Sequence, residues 1–203
     1  MGYSSMSRRF DGRTKGEFKK DIKFTTQVES YFFERFLAVA KQTKGIWVSN
    51  PTDNGVDNSG EYLAKGNTAG ADYRVDLRYK HLNEKQHPLE IKWVPTAGKF
   101  TLKENDLKAY VEEGASILFI YNTKNNLNLR KPKDLDLPRH IRRIESKVED
   151  IRWGIMFHDW VRFFLEFHQK YDKFRPVPYM GNKRAVILPQ KEYPRWIAEE
   201  KWL

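Results

Sequence analysis

Cysteine is absent from this chain of 203 residues. That excludes disulfides, thiolate zinc sites and cysteine-bound iron–sulfur clusters. Long apolar runs are also missing. None approaches the roughly 20 residues that a membrane span requires, and Met1 to Lys23 is polar and basic, with no apolar signal-peptide core. A soluble, intracellular protein is expected. No glycine-rich phosphate loop and no nucleophile elbow occurs, so neither ATP hydrolysis nor serine-hydrolase chemistry has support. The five histidines are scattered: His81 and His87 fall in one predicted turn, and His140, His158 and His168 are spread over the C-terminal region. None pairs at the i, i+4 spacing of a helical zinc site, and they are read as not forming a metal set.

Positive charge is abundant. Lys and Arg number 37 against 27 Asp and Glu, a net charge of +10 with a pI of about 9.6. Such an excess favours a polyanionic partner, and nucleic acid is the expected one. Aromatic residues make up 14% of the chain. Their rings can supply much of the buried area of a core that is only moderately apolar. The length suits one domain with a small appendage.

Hydrophobic periodicity organises the chain. Residues 1–24 read as a basic flexible arm able to track phosphates, with Arg8, Arg9, Arg13, Lys15, Lys19, Lys20 and Lys23. From Thr25 to Thr43, Val28, Phe32, Phe33, Phe36, Leu37 and Ala40 recur at three- and four-residue spacing and predict a helix stopped by Gly45. Ile46 to Val48 is a short predicted strand, and residues 50–70 read as a long loop. Alternation then predicts strands at Ala71–Tyr79 and Leu89–Val94, separated by a polar turn over 80–87. Glu104–Glu113 reads as a helix closed by Gly114, and Ala115–Tyr121 as a buried strand. A basic loop over 122–139 precedes a largely helical region from Pro138 to about Lys173, with Gly154 as a break. A short strand at Ala185–Leu188 and a turn near Trp196 end the chain. This order suits an α/β fold, a mixed sheet flanked by helices with a mainly helical extension over 123–203.

The chemistry-bearing residues lie on the predicted hairpin. Side chains alternate along a strand, so Asp72, Arg74 and Asp76 share one face, and Glu90 and Lys92 share a face of the next strand. Paired strands would bring carboxylates and one lysine together. Two carboxylates with an open coordination sphere suit Mg²⁺, and a nearby lysine can position water or stabilise charge on a phosphate. A solvent-facing polar stripe is the competing reading of the same residues.

Gly70-Ala71-Asp72-Tyr73, an apolar strand, a turn and then Leu89-Glu90-Ile91-Lys92-Trp93 together resemble the PD-(D/E)xK nuclease superfamily over residues 25–122. Ala71 stands where that superfamily often has proline. The stretch from Phe100 to Tyr121 looks like the corresponding part of Holliday junction resolvases and related phage nucleases. The resemblance implies a restriction-endonuclease-like fold. It also implies a DNA endonuclease that uses Mg²⁺, or Mn²⁺ in its place, with Asp72 and Glu90 as metal ligands and Lys92 acting on the attacking water. A homodimer in the cytoplasm of a prokaryotic cell or phage-infected host is implied as well, since two strands must be cut. Restriction-type or homing endonucleases, an RNA nuclease and a non-catalytic DNA-binding protein are the alternatives.

Many members of the superfamily add a glutamate from the first helix, and this chain has two candidates. At 3.6 residues per turn, Glu29 falls on the stripe of Phe33, Phe36 and Ala40, whereas Glu34 lies around the helix from it. An inward carboxylate needs a partner or a cation, so Glu29 is taken as the assisting ligand. Asp76 reads as an exposed polar position, and Asp53, Asp57 and Glu61 as turn residues. Candidate nucleic-acid contacts are Lys108 on the helix after the motif, and Arg130, Lys131, Arg142 and Arg143 within the basic stretch Lys124–Lys147. Trp153, Phe157, Trp160, Phe163, Phe164 and Phe167 are spaced as core or dimer contacts.

Overall fold

The computed structural model of the chain describes residues 14–40, 46–53, 70–79, 82–95, 99–124, 129–178 and 182–201. Arg8, Arg9 and Arg13 of the expected arm, and Asp57 and Glu61 of the expected loop, lie outside the described residues.

The first helix, α1, spans Lys15–Ala40 and starts well before Thr25. The expected arm is therefore corrected over Lys15 to Lys23, which forms the opening turns of α1. Thr14-x-x-Glu17 explains this start. The Glu17 carboxylate accepts from the Thr14 backbone N–H at 2.7 Å, while Thr14 Oγ1 accepts from the Glu17 N–H at 3.2 Å. This reciprocal pair satisfies donors that a helix start otherwise leaves unmet. The stripe Phe24, Val28, Phe32, Phe33 and Phe36 is buried and lays α1 against the main sheet.

Strands β1 (Ile46–Asp53), β2 (Tyr73–Tyr79) and β3 (Leu82–Val94) form an antiparallel meander. The polar turn expected over 80–87 is corrected, because β3 begins at Leu82 and Asn83 and Glu84 pair with Arg78 and Leu77. Ladder hydrogen bonds use the backbone, so the exposed side chains of Asn83, Lys85 and Gln86 do not oppose strand formation. A bulge lies opposite Asp76, where Gln86 takes φ 53°. Strand β4 (Lys99–Lys103) leads into helix α2 (Glu104–Glu113), which ends at Gly114 in the left-handed conformation. Strand β5 (Ser116–Asn122) then returns parallel to β3, and all seven of its residues are buried.

Helix α3 (Leu137–Glu145) is capped by Asp136, whose Oδ1 accepts from the Arg139 N–H at 3.0 Å. The long helical region expected to follow is corrected. Ile151–Met156 is strand β6, antiparallel to β5, with Gly154 opposite Phe119. Ile151, Trp153 and Ile155 face one core while Met156 faces the other, which is strand periodicity. Helix α4 (His158–Lys170), strands β7 (Arg175–Val177) and β8 (Lys183–Pro189), the short helix α5 (Tyr193–Trp196) and strand β9 (Ala198–Lys201) follow.

The main sheet is mixed, with order β1-β2-β3-β5-β6-β9, and a small sheet has order β4-β8-β7. The C-terminal part is thus not a mainly helical extension, since it contributes two strands to the main sheet. One core, with Phe32, Phe36, Leu118, Ile120 and Trp153, lies between the sheet and α1 and α3. The other, with Phe100, Phe119, Tyr121, Phe164 and Trp196, lies under α2, α4 and the small sheet. Among the described residues no helix is long and apolar enough to cross a membrane.

Candidate active site

Asp72 immediately precedes β2, and two contacts fix it there. The Ala71 N–H donates to Glu113 Oε2 at 2.8 Å, and Arg74 Nη2 pairs with Glu113 Oε1 at 3.1 Å. Both oxygens of this α2 carboxylate therefore clamp the chain on either side of Asp72. Ala71 is fully buried, so a small side chain suits the position. Asp72 Oδ2 in turn accepts from the Ile91 N–H at 2.7 Å. Ile91 lies between Glu90 and Lys92, so this bond ties Asp72 to the β3 segment that carries them.

Glu90 is only 4% exposed. Its Oε1 accepts from the Tyr110 hydroxyl at 2.8 Å and pairs with the Lys92 ammonium. Both donors converge on Oε1, which leaves Oε2 for a further ligand. The Lys92 Nζ also stands 5.6 Å from the centre of the Tyr110 ring, within cation–π range. Glu29 on α1 is half-buried. It hydrogen-bonds the Trp93 backbone and feels the charges of Lys92 and Glu90, whereas Glu34 is exposed. Three carboxylates and one ammonium, from α1, the start of β2 and the middle of β3, thus lie within electrostatic reach of one another.

Their electrostatics reflect crowding. Burial, reinforced by the charge of Glu90, pushes the Asp72 carboxyl up to about 8 against the pull of Lys92 and the Ile91 N–H. Asp72 nevertheless keeps more than a third of its surface open to solvent. Burial likewise pushes Glu29 up to about 7, opposed by Lys92 and helped by Glu90. Burial works against the Lys92 ammonium, but Glu90, Tyr110 and Asp72 outweigh it and hold its pKa well above the lysine range.

Carboxylate oxygens are the donors that a hard divalent cation prefers, but among the described residues the group of three whose ligand atoms all lie within 4.8 Å of one another is Glu84, His87 and His158. With every group ionised, three negative charges face one positive charge. Burial is the first cause of the raised Asp72 and Glu29 pKa values, and the charge of Glu90 adds to it.

The other candidates are placed elsewhere. Asp76 accepts from Asn50 Nδ2 at 2.7 Å and from the Gln86 N–H at 3.2 Å, bonds that hold its carboxyl below the usual range. It serves the bulge in the hairpin. Lys108 pairs with Glu104 at 3.2 Å on α2, across the sheet from α3. Lys131 pairs with Asp21 of α1 at 2.6 Å, Arg130 and Arg142 are exposed and Arg143 is half-buried. Arg142 and Arg143 lie on α3, which packs against α1. The cationic candidates thus divide between the two faces of the sheet. Trp153 and Phe164 are core residues, while Trp160 and Phe163 are 46% and 49% exposed.

Sequence reasoning missed Tyr110 and Glu113. They are three apart on α2 and share its inward side with Leu107, a pattern that marks a packed face without distinguishing a functional hydroxyl or carboxylate. It also read the histidines as unrelated. That reading is corrected at one point, where His87 and His158 have ring centres 5.6 Å apart and Glu84 joins them.

No known protein-family model, curated protein or solved structure matches the chain.

Proposed function

We propose that the chain is a Mg²⁺-dependent DNA endonuclease with a restriction-endonuclease-like core. The carrying observation is that Asp72 is tied through the Ile91 N–H to the strand segment bearing the Glu90–Lys92 pair, with Glu29 near enough to feel their charges. The order of elements supports it. A helix, a three-stranded meander carrying Asp72 and Glu90-Ile91-Lys92, a helix and a parallel strand follow the arrangement that the PD-(D/E)xK resemblance implies.

Asp72 and Glu90 would hold the cation, with Glu29 assisting. A bound Mg²⁺ or Mn²⁺ supplies Lewis-acid polarisation of a phosphoryl oxygen. The Ile91 N–H and the Tyr110 hydroxyl orient the two principal carboxylates. Lys92 keeps its proton, so its part is electrostatic: the ammonium stabilises charge that develops on the scissile phosphate. A Holliday junction or other branched DNA is the first substrate within this reading, and a homodimer would supply one site for each strand.

The test is a cleavage panel with Mg²⁺ or Mn²⁺ on four-way junctions, linear duplex, single-stranded DNA and RNA. Metal-dependent cutting of DNA, fastest on the junction, is expected. DNA binding without cleavage of any substrate in any divalent metal would make the protein a binding module.

A further inference from the structure

A second group of metal-ligating side chains converges where β3 and α4 begin. Glu84 and His87 belong to β3, and His158 is the first residue of α4. One donor atom from each lies within 4.8 Å of the other two. His87 is buried, and Glu84 and His158 are half-buried.

His87 has both ring nitrogens engaged by polar neighbours, and His158 has one. His87 Nε2 shares a hydrogen bond with Ser116 Oγ at 2.8 Å, and His158 Nε2 stands 3.4 Å from Asp159 Oδ1. His87 Nδ1 faces the Glu84 carboxylate. His158 Nδ1 is buried without a hydrogen-bond partner, an unmet requirement that a closed polar network would not leave. An imidazole oriented through one nitrogen and available at the other, as His158 is, is how protein histidines usually present themselves to metals; at His87 an ion would replace the contact with Glu84.

We propose that Glu84, His87 and His158 form a second cation site, selective for a transition-metal ion of the Zn²⁺ class. Two imidazoles and one carboxylate are a donor set that Zn²⁺ accepts and that Mg²⁺, which favours oxygen, does not. Zn²⁺ bonds of about 2.0–2.1 Å put tetrahedral donors about 3.4 Å apart. Side-chain rotations that part His87 Nδ1 from the Glu84 carboxylate and adjust His158 would fit the three donors around an ion. A fourth position stays open to water. The ion would tie the start of β3 to α4, segments far apart in the chain, and so brace the strand that bears Glu90 and Lys92.

The test uses the full chain, stripped with a chelator, dialysed and titrated with Zn²⁺ alone by calorimetry, with a thermal melt in parallel. One Zn²⁺ per chain that is retained in Asp72→Asn, and a rise in Tm, are expected. Glu84→Gln and His158→Ala should each weaken binding by at least about tenfold, while Asp72→Asn leaves it unchanged. Circular dichroism checks folding, and the near-isosteric Glu84→Gln keeps the test open if His158→Ala misfolds. Three outcomes overturn the site: no Zn²⁺ uptake by folded wild type, equal binding by wild type and both variants, or binding lost in Asp72→Asn alone. Cleavage is not part of the readout, so this site and the nuclease reading can fail separately.

Discussion

The Tyr110 hydroxyl donates to Glu90 Oε1 across 2.8 Å, and the Lys92 ammonium takes the same oxygen. A helix behind the sheet thereby sets the orientation of a strand carboxylate. Tyr110→Phe keeps the buried ring and removes that one donor. Stability should fall by about 1 kcal/mol. The Mg²⁺ concentration needed for half-maximal cleavage should rise, because Glu90 loses one of the two donors that hold its Oε1. A metal titration of cleavage on both proteins reads this. Identical curves would mean that the phenol only fills space.

Lys92→Ala should slow cleavage on the order of a hundredfold or more, the usual cost of one well-placed electrostatic group, with most DNA affinity kept. The reason is that Lys92 acts on charge present in the transition state more than on bound DNA. Asp72→Ala should also stop cleavage, by loss of metal, and excess Mn²⁺ should rescue it in part. Parallel cleavage and binding titrations compare these proteins. A Lys92→Ala protein as fast as wild type would reduce Glu90-Ile91-Lys92 to a polar strand face.

The raised carboxyl pKa values make stability depend on pH in a stated direction. Burial pushes the Asp72 and Glu29 carboxyls up to about 8 and about 7 in the folded chain, against ordinary values of 3.8 and 4.5. Between those limits the folded state binds more protons than the unfolded state. Their contribution is therefore fully present below about pH 4 and is lost as pH rises through 7 to 8. In a chelator, denaturant midpoints should decline over this range through these two groups, and the decline should shrink in the double variant Glu29→Gln, Asp72→Asn. Mg²⁺ should restore stability at pH 8 and do little at pH 5, where protons occupy the site. A double variant with the wild-type pH profile would contradict the crowded cluster.

DNA binding should weaken steeply with salt, as counterions are released from each contacted phosphate. Arg142→Gln should lower the slope of log affinity against log salt by about 1 if the α3 face contacts a phosphate. Lys108→Gln, on the opposite face and paired with Glu104, should leave the slope unchanged. Filter binding at several salt concentrations distinguishes them, and the reverse result would move the DNA to the α2 face.

Local chemistry made part of the site legible. Alternation placed Glu90 and Lys92 on one strand face, and helical phase separated Glu29 from Glu34, because both depend only on neighbours within a turn or a pleat. The Thr14-x-x-Glu17 box was equally local, although hydrophobic periodicity alone placed the helix start later. Ile151–Met156 was read as helix because its neighbours are helical, while its two-residue alternation becomes decisive only when α1 packs on one side of the sheet and α4 on the other.

The sequence by itself determined the basic charge, the exclusion of cysteine chemistry, the principal helices and the hairpin that bears Asp72, Glu90 and Lys92. Composition and short-range periodicity suffice for these. The tertiary structure alone decided which distant groups meet. Glu113 clamps Ala71 and Arg74, Tyr110 reaches Glu90, and His158 approaches Glu84 and His87. The physical reason is the sheet order: β5 returns parallel to β3 through α2 and is followed by β6 and α4. That crossover sets helices from later in the chain beside β3, a proximity that sequence spacing cannot carry.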